Sequence, residues 1–202
     1  MTASGNNEEA WRDLRLGDVV REIKGGGTPS RGTAEYWGGD IPWCTVKDLS
    51  SFDPNRTQEY ITREGLENSA TRIVPAGGLI ICTRILVGAT AIYNCEVAIN
   101  QDMKYLELTD DVTPEFMKLL IASKANQLVR ISAGSTVHGI SIDDLRSLPI
   151  RIPQTLLEQQ AITAAISDAS VLIEALERRL AKTRDLKQGM AQELLSGRTR
   201  LV

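Results

Sequence analysis

The residues that could do chemistry in this chain gather in two glycine-rich, polar stretches and a scatter of arginines. The first stretch is Lys24-Gly25-Gly26-Gly27-Thr28-Pro29-Ser30-Arg31-Gly32. Three glycines before a proline forbid regular structure and let the backbone approach whatever lies against it. It reads either as a plain turn or as a tight loop offering backbone amides, Lys24, Thr28, Ser30 and Arg31 to a polyanion. The GxxxxGK[ST] spacing of a phosphate-binding P-loop is missing. The second stretch runs from Ser132 to Gly139 and holds His138, the only histidine. A single histidine excludes a His-based relay or a multi-histidine metal site within one chain. There is no GxSxG elbow, no dinucleotide fingerprint and no Asn/Asp-Pro-Pro-aromatic motif. Asp102-Met103-Lys104 matches only the tail of a nuclease carboxylate–lysine motif, and so short a pattern is common by chance. The chemistry left is binding.

Composition bounds what is bound. With 202 residues, 42% hydrophobic and 24% charged, the chain holds one ordinary globular domain and an extension. A net charge of −3 argues against nucleic acid as a partner, since phosphate binding usually needs a basic surface, but one face can be basic while the rest carries the acid. No apolar run approaches the ~20 residues that span a bilayer. The first ten residues are polar and acidic without an apolar signal core, so the expected compartment is the cytoplasm, with no membrane partner. Cys44, Cys82 and Cys95 are odd in number and widely spaced, which favours buried reduced thiols over a disulfide or zinc framework.

A mixed α/β (α+β) body must position these loops. Trp11 to Ile23 is amphipathic and predicts a strand edge or a brief helix. Tyr36 to Trp43 contains two of the three tryptophans, read as anchors that pin the first loop to the core, with base stacking as the other reading. Residues 44–49 look extended, and Ile61 to Ala70 is a short polar helix or turn. The apolar run Leu79 to Thr83 predicts a buried strand, and further strands follow at Gly88–Tyr93, Glu96–Ile99 and Met103–Leu108. Thr113-Pro114 caps a helix expected to continue toward Val129. Ser141 with Asp144 resembles a capping box opening a one-turn helix to Leu148. Pro149 to Pro153 is an extended exit strand.

Beyond Pro153 there is no further proline and no glycine before Gly189. Apolar positions repeat at heptad spacing along two stripes. One runs Ile162, Ala169, Leu176, Thr183, Met190 and the other Ile166, Ile173, Leu180, Lys187, Leu194. A single helix from Thr155 to Leu195 would be roughly 60 Å long at about 1.5 Å per residue. From Glu158 to Glu177 the only charges are acidic, whereas seven bases face two acids from Arg178 to Arg200. Two copies lying antiparallel would set acid against base; parallel copies would set like against like. The seam residues for such a dimer are Ile162, Ile166, Ala169, Ile173, Leu176, Leu180, Met190 and Leu194. Domains are therefore drawn at 1–153 and 154–202.

Several blocks, in order, carry a family resemblance. Leu16-Gly17-Asp18-Val19, Gly26-Gly27-Thr28-Pro29-Ser30, Tyr36 to Trp43, and Gly65-Leu66 resemble the opening of a target recognition domain. Ile99-Asn100-Gln101-Asp102, Gly134-Ser135-Thr136, Leu148-Pro149-Ile150 and Ile152-Pro153 are similar to its later blocks. Glu158-Gln159-Gln160 and Leu194 to Arg200 resemble the two ends of a conserved spacer helix. The family is the specificity subunits of type I restriction-modification enzymes. Its members usually carry two recognition domains and two spacer helices in tandem, and this chain has one of each.

The resemblance implies a half-length, non-catalytic subunit that reads double-stranded DNA and pairs with a second copy of itself. Two inverted half-sites would then lie less than about 18 base pairs apart, at roughly 3.4 Å per pair along a rod built at about 1.5 Å per residue. It also implies a methylation subunit docked on the paired helices and a restriction subunit beside it. S-adenosylmethionine, Mg2+ and ATP would belong to those partners, with no cofactor or metal in this chain. The residues expected at DNA are Lys24, Thr28, Ser30, Arg31, Lys47, Arg63, Arg72, Arg84, Ser135, Thr136 and His138. Asn100 and Gln101 join them in either a structural or a base-reading role. Two rival readings are a recognition fragment of a single-chain restriction-methylation enzyme and a coiled-coil adaptor that binds no nucleic acid.

Overall fold

The computed structural model describes residues 11–133 and 139–200. Trp11 to Ile23 resolves into two strands, β1 (Trp11–Arg15) and β2 (Val20–Gly25), joined by a 3₁₀ turn that buries Leu16 and Val19. Next come β3 (Trp37–Cys44), a one-turn helix α1 (Val46–Ser50), β4 (Glu59–Ile61), α2 (Arg63–Glu67) and β5 (Arg72–Val74). The centre of the chain supplies β6 (Leu79–Cys82), β7 (Thr90–Ile92), β8 (Val97–Ile99) and β9 (Met103–Leu108). Helices α3 (Pro114–Ser123), α4 (Ala125–Ala133) and α5 (Ile142–Arg146) precede β10 (Pro149–Pro153) and the 40-residue helix α6 (Leu156–Leu195).

Among the described residues the strands form one antiparallel pair, β1 with β10, and two four-stranded sheets ordered β2-β9-β6-β7 and β4-β3-β8-β5. Among the described residues only the pairing of β3 with β8 is parallel. All four residues of β6 and all three of β8 are buried, as a continuous apolar run requires when both faces are covered. Ile80, Cys82, Ala91 and Met103 of one sheet meet Cys44, Val74, Val97 and Ile99 of the other in one core cluster. On the opposite face of the second sheet, Trp43, Ile61 and Ala98 form a smaller cluster with Trp37 and Leu66 packed against it. Cys44 and Cys82 are buried and Cys95 is half-buried, all as free thiols. Burial pushes the Cys44 thiol up to about 12.

Two local expectations are corrected. Residues 46–50 are helical rather than extended, because Thr45 and Asp48 cap each other. The Thr45 N–H donates to Asp48 Oδ2 at 2.8 Å, and Thr45 Oγ1 accepts from the Lys47 N–H at 3.2 Å. The helix expected to run on toward Val129 is broken at Lys124, whose backbone (φ −96, ψ 4) leaves the helical region. α3 buries Phe116, Met117 and Ile121. α4 starts afresh and directs Leu128 against Gly88. Of the box expected at α5, the N-cap half forms: Ser141 Oγ accepts from the Asp144 N–H at 3.0 Å and donates to Asp144 Oδ2 at 2.6 Å.

Contacts divide the chain into a compact unit ending at Gln160 and a second beginning at Ala161. Within the first, the buried Gln159 fixes the opening turn of α6. Its Oε1 accepts from the Thr113 N–H at 3.0 Å, and its Nε2 donates to Asp111 O at 2.8 Å. The second unit is the rest of α6, on which Ile173 (55%) and Leu180 (49%) are exposed. Among the described residues no helix is long and apolar enough to cross a membrane.

Candidate nucleic-acid interface

The first glycine-rich loop is built by contact rather than by unusual dihedral angles. Leaving β2, it passes so close to the end of β8 that a Cβ on Gly26 would lie 2.0 Å from Ile99 O. One on Gly27 would lie 2.7 Å from the carbonyl carbon of Ala70. The Gly27 N–H donates to Ile99 O at 3.1 Å. Both indoles hold the strap from beneath: Trp43 Nε1 donates to Gly27 O at 3.2 Å and Trp37 Nε1 to Ser30 O at 3.0 Å. Their rings meet edge to face at 5.1 Å. The tryptophans therefore anchor the loop, with their N–H groups spent on its carbonyls.

Arg31, although exposed, is engaged by the chain's own side chains. Its guanidinium lies 3.8 Å from the Trp37 ring centroid and forms a two-pronged ion pair with Glu59. That hydrogen bond raises the Arg31 pKa and holds the Glu59 carboxyl below its ordinary range. Lys24 is likewise paired with Glu107 and Glu22, and the Glu107 bond raises its pKa. Lys47 is exposed on α1, and its charge adds to the lowering at Glu59. Ser30 is exposed on the strap.

Between β8 and β9 the chain turns at Asn100-Gln101-Asp102. Asn100 is buried: its Oδ1 accepts from the Asp102 N–H at 3.1 Å and its Nδ2 donates to Asp102 Oδ2 at 3.3 Å. Gln101 points outward, and its Oε1 accepts from Thr28 Oγ1, which ties this turn to the strap. Beside it, Arg84 Nε lies 3.9 Å from Asp102 Oδ1, and Arg84 forms a β-bridge with Gly139. The Ile140 N–H donates to Thr83 O at 2.9 Å, so the segment after residue 138 is docked on the same edge. Thr83, Arg84, Gln101, Lys104 and Gly139 to Ile142 enclose a slot of about 370 Å³.

The fold thus brings Thr28, Arg84 and Gln101 to one face. Arg63 lines a separate indentation with Asp40, Leu66 and Glu96 and pairs with Glu67 at 3.6 Å. Arg72 is exposed on β5, opposite Ile99 in register. Ser135, Thr136 and His138 lie outside the described residues. Lys104 belongs to the face although its sequence neighbourhood reads as an ordinary strand. Its amine donates to Gln101 O at 2.7 Å and Met103 O at 3.2 Å, and burial lowers its pKa. In the sequence it stands out only as the end of the short Asp102-Met103-Lys104 pattern, two residues after the turn. That it meets Gly25 depends on the pairing of β2 with β9.

Residues 8–183 match the family model described as the type I restriction modification DNA specificity domain. The chain is 33% identical over 178 residues to the type I restriction enzyme MjaIX specificity subunit of Methanocaldococcus jannaschii. It is 30% identical over 188 residues to the EcoR124I/EcoR124II specificity subunit of Escherichia coli. These alignments cover 86% and 90% of this chain but only 41% and 46% of the relatives, so the chain spans less than half their length. Among solved structures, a chain of a type I R-M system superposes with a TM-score of 0.72 at 23% identity, covering 96% of this chain and 47% of that one. The HsdS subunit from Thermoanaerobacter tengcongensis superposes with a TM-score of 0.68 at 22% identity, covering 96% and 46%. At those identities the likeness is one of fold.

Proposed function

The chain belongs to the type I restriction modification DNA specificity family, and on that premise we propose that it reads double-stranded DNA and directs partner subunits to the site it finds. The observation that carries this reading is the convergence of three separate segments on one face: the Gly25–Arg31 strap, the Asn100–Lys104 turn, and Arg84 with Gly139. Side chains with amide, hydroxyl, guanidinium and ammonium groups stand there on a braced backbone, the mix that reads base edges and holds phosphates. The chain contributes recognition. Methyl transfer from S-adenosylmethionine, and cleavage with Mg2+ and ATP, belong to a methylation and a restriction subunit in the cytoplasm. Sequencing the methylome of cells with and without this chain tests the reading. A methylated motif that disappears with the chain is the expected result, and an unchanged methylome refutes it.

The spacing device is α6. Its apolar stripe leaves Ile173, Leu176, Leu180 and Met190 exposed, and its acidic first half complements its basic second half. A second copy lying antiparallel covers that stripe and sets acid against base. Two readers held this way demand inverted half-sites with an unread gap. Ile173→Asp with Leu180→Asp puts charges into the seam, and light scattering is expected to report a monomer. A dimer that persists overturns the seam.

A further inference from the structure

We propose that the turn between β6 and β7 is an apolar wedge, and that Ile85, with Leu86, enters the bound duplex and opens a base step beside the reading face. Among the described residues Ile85 is the only non-glycine with positive φ (68). A β-branched side chain is strongly disfavoured there, whereas glycine would adopt the angle freely. Burial does not offset the strain, because Ile85 is 73% exposed and Leu86 41%. The conformation is nonetheless firmly held. The Cys82 N–H donates to Ala89 O at 2.7 Å, Gly88 N–H to Cys82 O at 2.9 Å and Leu86 N–H to Arg84 O at 2.8 Å. Gly88, at φ 85, is seated against Leu128 of α4. The turn is thus a braced apolar tip, held at a strained angle and presented to solvent.

Its neighbours say what that partner is. Arg84 immediately precedes Ile85 and lines the slot that also holds Gln101 and Lys104. An apolar tip whose base carries cations and an amide suits a polyanion with a stackable interior. Side chains such as Ile and Leu are the kind that part base steps and kink a duplex. A protein surface would accept the apolar tip, yet it has less use for the cations at its base. The proposal rests on the DNA-reading function above.

The test uses the full chain assembled with its methylation subunit. The duplex carries the motif found by methylome sequencing, with 2-aminopurine placed at each position in turn. The wild type is expected to raise fluorescence at one step. Ile85→Gly and Ile85→Asn, both at ease at this φ, are expected to abolish the rise. They should also weaken binding by about tenfold or more, the worth of one buried aliphatic side chain. The asparagine variant is expected to melt no lower than wild type, which separates the effect from misfolding. Variants that bind and fluoresce as wild type does overturn the wedge. So do variants that keep the DNA signal but lose the methylation subunit, since the tip would then be a protein contact. Wild-type binding without salt dependence would instead refute the DNA reading itself.

Discussion

Replacing Gly26 by alanine puts a methyl group where the end of β8 already stands. The new Cβ would lie 2.0 Å from Ile99 O and 2.6 Å from Asn100 O, whereas carbon and oxygen sit no closer than about 3.3 Å even in favourable contacts. Both obstacles are backbone carbonyls, so no side-chain rotation relieves them, and the strap itself must lift by more than about 1 Å to restore such a distance. Lifting it breaks the Gly27 N–H to Ile99 O bond and pulls Gly27 O away from Trp43 Nε1. Each of the two bonds lost costs about 1–3 kcal/mol, so the expected loss is ~2–6 kcal/mol. That is a large part of a domain's usual stability of about 5–15 kcal/mol. Gly32→Ala is the matched control at the far end of the same loop. Its Cβ meets only Ser30 Oγ, at 3.8 Å. The backbone there is not left-handed, so alanine should be neutral or stabilising by about 0.4–1 kcal/mol. Urea unfolding followed by tryptophan fluorescence, which reports on Trp37 and Trp43, measures both. A midpoint lowered by about 1 M or more for Gly26→Ala, with Gly32→Ala at or above wild type, is the expected pair. Equal midpoints for the two variants would refute the close passage of the strap over β8.

Two further outcomes follow from hydrogen bonds on the same body. Gln159→Ala removes the acceptor of the Thr113 N–H and the donor to Asp111 O, so it should cost about 1–3 kcal/mol. Hydrogen exchange should then quicken at Thr113 and in the first turn of α6, and unchanged protection there would count against the anchor. Glu59→Gln tests the pair with Arg31. Because Arg31 holds the Glu59 carboxyl below its ordinary 4.5, the stabilisation is fully present above that pH and fades as pH falls through the lower folded-state value. The variant should be less stable than wild type at pH 7 by no more than ~1 kcal/mol, given the exposure of Arg31, and the gap should close in acid. A gap that widened as the pH fell would reverse the assignment.

The segments legible in the sequence are those whose cause lies within a few residues. The mostly apolar heptad pattern after Pro153, with no proline and no glycine before Gly189, marks α6; the apolar run at Leu79–Cys82 marks β6, and Ser141 with Asp144 marks α5. The α1 turn was equally available, since Thr45 and Asp48 spell out its cap; an extended reading of residues 44–49 overlooks it. The break at Lys124 has no such local marker, because Leu128 turns toward Gly88, a residue 40 positions earlier. The site divides in the same way. Residue types and the glycine strap were visible in the sequence, as was the anchoring role of the tryptophans.

Which cations are engaged at home was not visible. Arg31 meets Glu59 and Lys24 meets Glu107 across 28 and 83 residues, contacts that exist only once β3 pairs with β4 and β2 with β9. Lys104 joins the strap by the same strand pairing, and the strained Ile85 is held by the closure of the β6–β7 turn and by Leu128. Local propensity and capping act through neighbouring dihedral angles, so a linear reading recovers them. Partners across a sheet depend on register, and a one-residue slip would turn each of these side chains to the other face. Only the folded chain chooses among those registers.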